Sequence, residues 1–237
     1  MTHPPRRSAS RPVEIEIAGA LATEIGAVAH FVQLDPHEAD LEQAVLAGRC
    51  QAASGIIDDP SFVTRGRSPA GISLTDPYYA AGYVLVGRGD VTPVSTLRQL
   101  GAARVGVEKE SIVAYTLRQR GHAVHGLSNA SAVIRAVAER RLDYGYLWGP
   151  LAAGQLQGEQ EGILIGQFVP ADRWNVTIAV RGEAGELRHH LNRAIHHSLE
   201  NGAVARIMAA ADVPFLAPDA VSGNPPHAET AIPRPGP

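Results

Sequence analysis

Residues 105–148 read VGVEKESIVAYTLRQRGHAVHGLSNASAVIRAVAERRLDYGYLW, and the order of signals in this stretch decides the fold. Val105–Val107 is a short run suited to a strand. Ser111–Arg120 has helical spacing and is closed by Gly121. Val124–Leu127 is again strand-like. Ser128 or Asn129 is placed to cap a helix that runs through Glu139. Tyr144–Trp148 forms a third strand, with Gly149-Pro150 expected to stop it. Short strands alternating with helices of about this length predict parallel sheets covered by helices, an α/β architecture.

The same rhythm continues on both sides. Toward the N-terminus, Val13, Ile17, Leu21 and Ile25 recur at helical spacing before Gly26. His30–Leu34 reads as a strand, Leu41–Ala47 as a helix ending at Gly48, Cys50–Ile57 as a strand of small residues, Tyr83–Val86 as a buried strand and Thr96–Leu100 as a helical turn. Toward the C-terminus, Ile163–Ile165 and Val176–Val180 read as strands, and Glu186–Asn201 and Val204–Ala211 as helices. The stretch Ala44–Gln51 lines up weakly with Ala136–Asp143, as two similar lobes would. Tyr83–Val86 and Val176–Val180 fit neither lobe's rhythm and are placed to be two strands crossing between lobes. This divides the chain into lobe one, residues 13–83 plus 177–221, and lobe two, residues 84–176. Residues 1–12 and 222–237 are rich in proline and poor in large apolar side chains, and are expected to be disordered tails.

The 237 residues carry 21 basic and 24 acidic side chains, a net charge of −3. That balance argues against general nucleic-acid binding, which needs a basic face. No apolar run is long enough for a membrane span. A single cysteine, Cys50, excludes an internal disulfide and a multi-cysteine metal site. Cys50 is expected to be a small buried apolar residue, with pairing to a cysteine in an upstream segment as the alternative. Arg6-Arg7 is not followed by the apolar region of an export signal.

The familiar catalytic motifs are missing from the sequence: G-x-S-x-G, H-E-x-x-H, a phosphate loop ending in Lys-Ser/Thr, and C-x-x-C. His189-His190 and His196-His197 are seven apart, about 10 Å along a helix, too far to share one ion. With Leu187, Leu191, Ile195 and Leu199 marking the buried face, these histidines belong to a solvated one. No metal and no cofactor is expected. Several residues are candidates for ligand contact. Ser111 sits between a strand and a helix, where a hydroxyl caps the helix and free N–H groups can hold an anion. Trp148 ends a strand, and ligands of open α/β sheets lie outside the carboxyl ends of strands; it is either a stacking wall or packing between lobes. Thr75-Asp76-Pro77-Tyr78-Tyr79 is a turn that either packs the lobe junction or lines a cleft. Arg65 and Arg67 lie in a Gly/Ser/Pro loop, solvated or placed as a carboxylate clamp.

On these segments residues 13–218 resemble the periplasmic solute-binding proteins that serve polar amino-acid transporters, solute-binding family 3. Glu14–Ala22 is like the family's first helix. Leu41–Cys50, Thr75–Tyr79, Val105-Gly106-Val107 with Ser111, Leu142-Asp143, and Leu191–Pro214 occur in the family's order. Gly48-Arg49-Cys50, Tyr78-Tyr79 followed by Tyr83–Val86, and Leu147-Trp148-Gly149-Pro150-Leu151-Ala152 resemble more closely the members encoded beside quinoprotein alcohol dehydrogenases. The resemblance implies a two-lobe type 2 periplasmic-binding fold that captures a small polar or organic-acid solute by hinge closure, as the substrate-binding component of an ABC-type transporter. It implies a periplasmic location, a monomer and no enzymatic activity; an enzyme on this fold would need an acid/base pair that the sequence does not offer. Its contact residues would be Arg67, Thr75, Tyr78, Tyr79, Ser111 and Trp148, and its protein partner an ABC permease. The alternative is an accessory or maturation protein for a PQQ-dependent dehydrogenase, using the same fold as an interaction module. The sequence departs from the amino-acid binders in three ways. Trp148 stands near the position of the aspartate that holds the ligand's ammonium. Glu110 precedes Ser111, where the family has glycine followed by threonine or serine. The first strand of lobe one is expected to be missing ahead of Val13.

Overall fold

The computed structural model describes residues 13–32, 41–58, 70–90, 94, 96–109, 111–156, 163–211, 213 and 215–218; for residues 112 and 164–172 only the backbone is described. Both expected tails, Arg65, Arg67 and Glu110 lie outside the described residues.

Seven α-helices and seven strands are present among the described residues. The helices are α1 (Val13–Glu24), α2 (Leu41–Leu46), α3 (Ile112–Gln119), α4 (Ala130–Ala138), α5 (Gly149–Leu156), α6 (Gly185–Glu200) and α7 (Ala203–Ala210). The strands are β1 (Ala52–Asp58), β2 (Ile72–Leu74), β3 (Tyr79–Arg88), β4 (Val105–Glu108), β5 (Val124–Leu127), β6 (Tyr144–Trp148) and β7 (Ile163–Arg181). They form one mixed sheet in the order β1-β7-β3-β6-β4-β5, with β2 also on β7.

The sheet corrects the expectation of parallel strands throughout. Only β6-β4-β5 is parallel, and β1, β2, β3 and β6 all make antiparallel pairs with β7 or β3. The reason lies in β3 and β7. Each is one long strand running through both halves of the molecule, where the sequence suggested separate short ones. Their register slips between Gly82 and Val84, whose β7 partners are Arg173 and Phe168. Two residues of β3 therefore face five of β7, and Pro170, which cannot donate to a ladder, falls inside that bulge.

The core is divided at the same place. Ile17, Leu21, Tyr78, Tyr79, Ile178 and Ile195 belong to one cluster, built by α1, α6, α7 and the β3–β7 ladder. Leu85, Val107, Leu117 and Tyr146 belong to a second, under α3. A third holds Val84, Val86, Val133 and Leu147 on the other sheet face, under α4 and α5. The termini of the helices follow from their sequences. After α1, Gly26 at φ +75° lets Ala27 N–H donate to Ala22 O at 2.8 Å and Gly26 N–H to Thr23 O at 3.0 Å, a Schellman stop. Asn129 is the residue that caps α4, its side chain accepting from Ala132 N–H at 2.9 Å. Arg104 grips Asp143 through two guanidinium nitrogens, at 3.1 and 2.8 Å, and fixes the starts of β4 and β6 side by side.

Two further readings are corrected. Gly149-Pro150 does not merely end β6; it opens α5, because proline fits the first turn of a helix, where its missing N–H is not needed. Residues 30–32 of the expected His30–Leu34 strand form no strand, and residues 33–34 lie outside the described residues. No described strand pairs with this segment, and Val28, Phe31 and Val32 are exposed.

Candidate functional site

The carboxyl ends of three strands converge on the β3–β7 crossing. The last residue of β1, Asp58, pairs with Asn175, at the lobe-one edge of the bulge. The last residue of β6, Trp148, pairs with Tyr83, at the centre of the slip in β3. β4 is parallel to β6 and ends at Glu108, three residues before the α3 cap. Ligands of open α/β sheets sit outside such strand ends.

An aromatic cluster occupies this junction. Tyr83 lies 5.6 Å from Trp148 and 6.0 Å from Trp174, and the two tryptophans are 6.1 Å apart, all between ring centroids. Tyr146 supports Tyr83 from the lobe-two side at 5.3 Å. Strand alternation explains the grouping. Tyr79, Ala81 and Tyr83 share one face of β3, and the residues directly opposite Ala81 and Tyr83 are Trp174 and Trp148. Tyr146 is fully buried, while Tyr83, Trp148 and Trp174 keep partial exposure. Trp148 packs against the lobe-one cluster and Tyr83 against the lobe-two cluster. The trio thus bridges two cores. The chain has only two tryptophans, and both are here.

Ser111 behaves as an N-cap. Its hydroxyl donates to Glu108 O at 2.6 Å and accepts from Ala114 N–H at 3.2 Å. The neighbouring helix start is already supplied with an anion, since the Glu108 carboxylate accepts from Ala130 N–H at 3.1 Å.

Tyr78 and Tyr79 are buried side by side, and both hydroxyls donate to the carboxylate of Glu14 in the first turn of α1. Gly55 N–H donates to the Tyr78 hydroxyl at 2.9 Å. Gly55 has φ +81°, and a Cβ there would lie 3.7 Å from Glu14 Cδ. The cluster therefore ties α1, β1 and β3 together. Burial pushes the Glu14 carboxyl above its ordinary value, against the opposing pull of the two tyrosine hydroxyls. The phenols are raised as well, first by burial and then by the Glu14 charge. Thr75 is buried beside them; its hydroxyl donates to Asp76 O at 2.9 Å and accepts from Ile178 N–H at 3.0 Å.

The structure thus brings Trp148 to the crossing with Ser111 at the neighbouring strand end, and buries Thr75, Tyr78 and Tyr79 beside the β3–β7 ladder. Arg67 lies outside the described residues, in the segment that follows β1. Sequence reasoning missed Glu14, Tyr83 and Trp174 as members of this region. The signal was available for Tyr83, which has the alternation of a strand, but Trp174 follows a proline that hid the continuity of β7. His196 and His197 do not only face solvent. They reach Asp76 at 2.9 Å and Glu24 at 2.7 Å, fastening α6 to two other elements. No group of three or more metal-ligating side chains occurs among the described residues, and no helix among them is long and apolar enough to cross a membrane.

The fold defined by this sheet is the two-lobe fold of periplasmic binding proteins. A histidine kinase sensor domain with similarity to periplasmic binding proteins superposes with a TM-score of 0.62 at 18 % identity, over 91 % of this chain and 93 % of that one. An ancestral cationic amino acid solute-binding protein gives 0.69 at 18 % identity, over 84 % of each chain. The L-cystine solute receptor of Neisseria gonorrhoeae, in its unliganded open conformation, gives 0.69 at 15 % identity, over 84 % of this chain and 81 % of that one. No protein-family model and no curated protein matches the sequence.

Proposed function

We propose that the protein captures a small polar or organic-acid solute at the β3–β7 crossing and closes its lobes over it, without chemistry. The observation that carries this reading is the convergence of the ends of β1, β4 and β6 on a partly exposed aromatic cluster at the register slip between lobes. In this reading lobe one is residues 13–83 plus 177–221 and lobe two residues 84–176, with the slip as the hinge. Trp148 contacts the solute from lobe two, Ser111 shapes the neighbouring α3 N-terminus with a hydroxyl that is itself already bonded on both sides, and Arg67, in the segment after β1, meets a carboxylate. Thr75, Tyr78 and Tyr79 enter through the wall they shape, because their hydroxyls already hold internal partners. The solved neighbours include binding proteins for amino acids, which supports solute binding. The finer assignment, a periplasmic component delivering solute to an ABC permease, rests on the sequence resemblance.

A second reading rests on Leu147–Ala152, which resembles proteins encoded beside quinoprotein alcohol dehydrogenases. Under it the fold serves as an accessory module for such a dehydrogenase. Two measurements separate the readings: the melting shift of the purified protein with a solute panel, and co-purification with a PQQ-dependent dehydrogenase. A solute-induced shift lost in Trp148→Leu supports capture. Co-purification without any shift supports the accessory role and contradicts capture.

A further inference from the structure

Resting on the solute-capture reading, we infer that α5 is a sliding contact between the lobes during closure, and that Ala153 is the position on it that sets the balance between open and closed forms. Consecutive residues of this helix are buried in different cores. Ala152 belongs to the lobe-two cluster with Val84, Val133 and Leu147, and Leu156 packs against the same cluster. Ala153 belongs to the lobe-one cluster with Tyr79, Ile178 and Ile195. The two alanines are 0 % and 1 % exposed. They point about 100° apart around the helix axis, so α5 fills the angle between the two cores. Among the described buried residues of the lobe-one cluster, Ala153 alone comes from a helix within residues 84–176. Trp148, which immediately precedes α5, packs against that cluster as well.

α5 is fixed to lobe two. Gln155 accepts a hydrogen bond from the Ser131 hydroxyl at the start of α4, and the helix lies against α4 and β6. A rotation of lobe two about the slip therefore carries α5 with it and draws Ala153 across the lobe-one core. Packed helices accommodate such rotations by small slides. A single methyl engages its neighbours shallowly and slides with little resistance. A branched side chain interlocks with them and holds one arrangement, because close-packed cores resist intermediate fits. The side chain at 153 thus governs closure from a buried place, without touching solute.

The test compares Ala153→Val with Ala152→Val, the same enlargement one residue apart, the second inside the lobe-two core. Small-angle scattering and calorimetry are run with a solute panel that includes L-arginine, L-cystine, L-glutamate and succinate, and urea unfolding checks that each variant is folded. The native protein is expected to bind at least one of these probes and to contract on binding it. Ala153→Val should lose at least half of that contraction and change its affinity for that probe at least tenfold, whereas Ala152→Val should contract as the native protein does and bind within twofold. If either valine variant fails to fold, Ala153→Gly and Ala152→Gly make the same comparison of affinities with the methyl removed. An Ala153 variant that contracts and binds like the native protein overturns the inference and leaves solute capture standing. So does an Ala152 variant that is changed as much as its neighbour, because altering α5 anywhere would then suffice. A native protein that binds no probe, or binds one without contracting, contradicts capture by closure and overturns both.

Discussion

Glu14 sits where an ionised carboxylate is costly, under α1 and against two phenols. Its folded-state pKa is raised mainly by burial, so the protonated form is favoured by folding. The stability this contributes is fully present below the ordinary value near 4.5 and is lost as pH rises through the raised folded value. Urea midpoints measured between pH 4 and 7 should therefore fall more steeply with pH in the native protein than in Glu14→Gln. Parallel slopes in the two proteins would contradict this account of the cluster. Trp148 carries a separate expectation: Trp148→Leu should lose solute binding by at least tenfold while melting within a few degrees of the native protein, since a partly exposed ring contributes less to stability than a buried one. At this scale the sequence was legible in part. Trp148 and Ser111 could be picked out because strand ends and helix caps are local features. Glu14, Tyr78 and Tyr79 could not be joined, because their contact spans 64 and 65 residues and depends on how α1 docks.

The packing of α4 on the sheet shows what an element needs beyond its own pattern. Gly106 and Gly145 face each other across β4 and β6, and together they form a notch into which Val133 of α4 fits. A Cβ on Gly145 would come within 2.6 Å of Val133 Cγ1, and one on Gly106 within 2.4 Å of Leu142 Cδ1. Gly145→Ala should destabilise the protein by roughly 1–3 kcal/mol through overpacking, in spite of alanine's better backbone entropy. A urea midpoint equal to or above that of the native protein would show that the notch relaxes freely. α1, α2, α3, α4, α6 and α7 were legible to within a residue or two, from the spacing of their apolar residues and, for α3 and α4, from the side-chain caps Ser111 and Asn129. α5 was not, because Pro150 serves equally as a strand stop and as a helix start. The His30–Leu34 reading failed over residues 30–32 for a different reason: alternating apolar residues make a strand only where a neighbour pairs with them. β7 was read as two strands because Pro170 interrupts an otherwise continuous run.

The whole molecule is organised by β3 and β7, the strands common to both cores. Residues near the C-terminus reinforce the crossing. Ala80 N–H donates to Leu216 O at 2.9 Å, and the Arg173 guanidinium to Ala217 O at 3.0 Å, so one short segment touches both strands beside the slip. Arg173→Ala should leave the secondary structure intact but loosen this contact, seen as faster amide exchange at Ala80; unchanged exchange there would contradict it. The α/β class was legible from the alternation of elements and the two-lobe form from the family resemblance, whereas the mixed sheet was not, because strand direction follows from long-range pairing. Closure is the central claim, and small-angle X-ray scattering measures it most directly. With a saturating concentration of whichever panel solute shifts its melting temperature, the native protein is predicted to show a smaller radius of gyration than without it, and Trp148→Leu no change. A native protein that binds solute by calorimetry yet keeps the same scattering profile would contradict hinge closure.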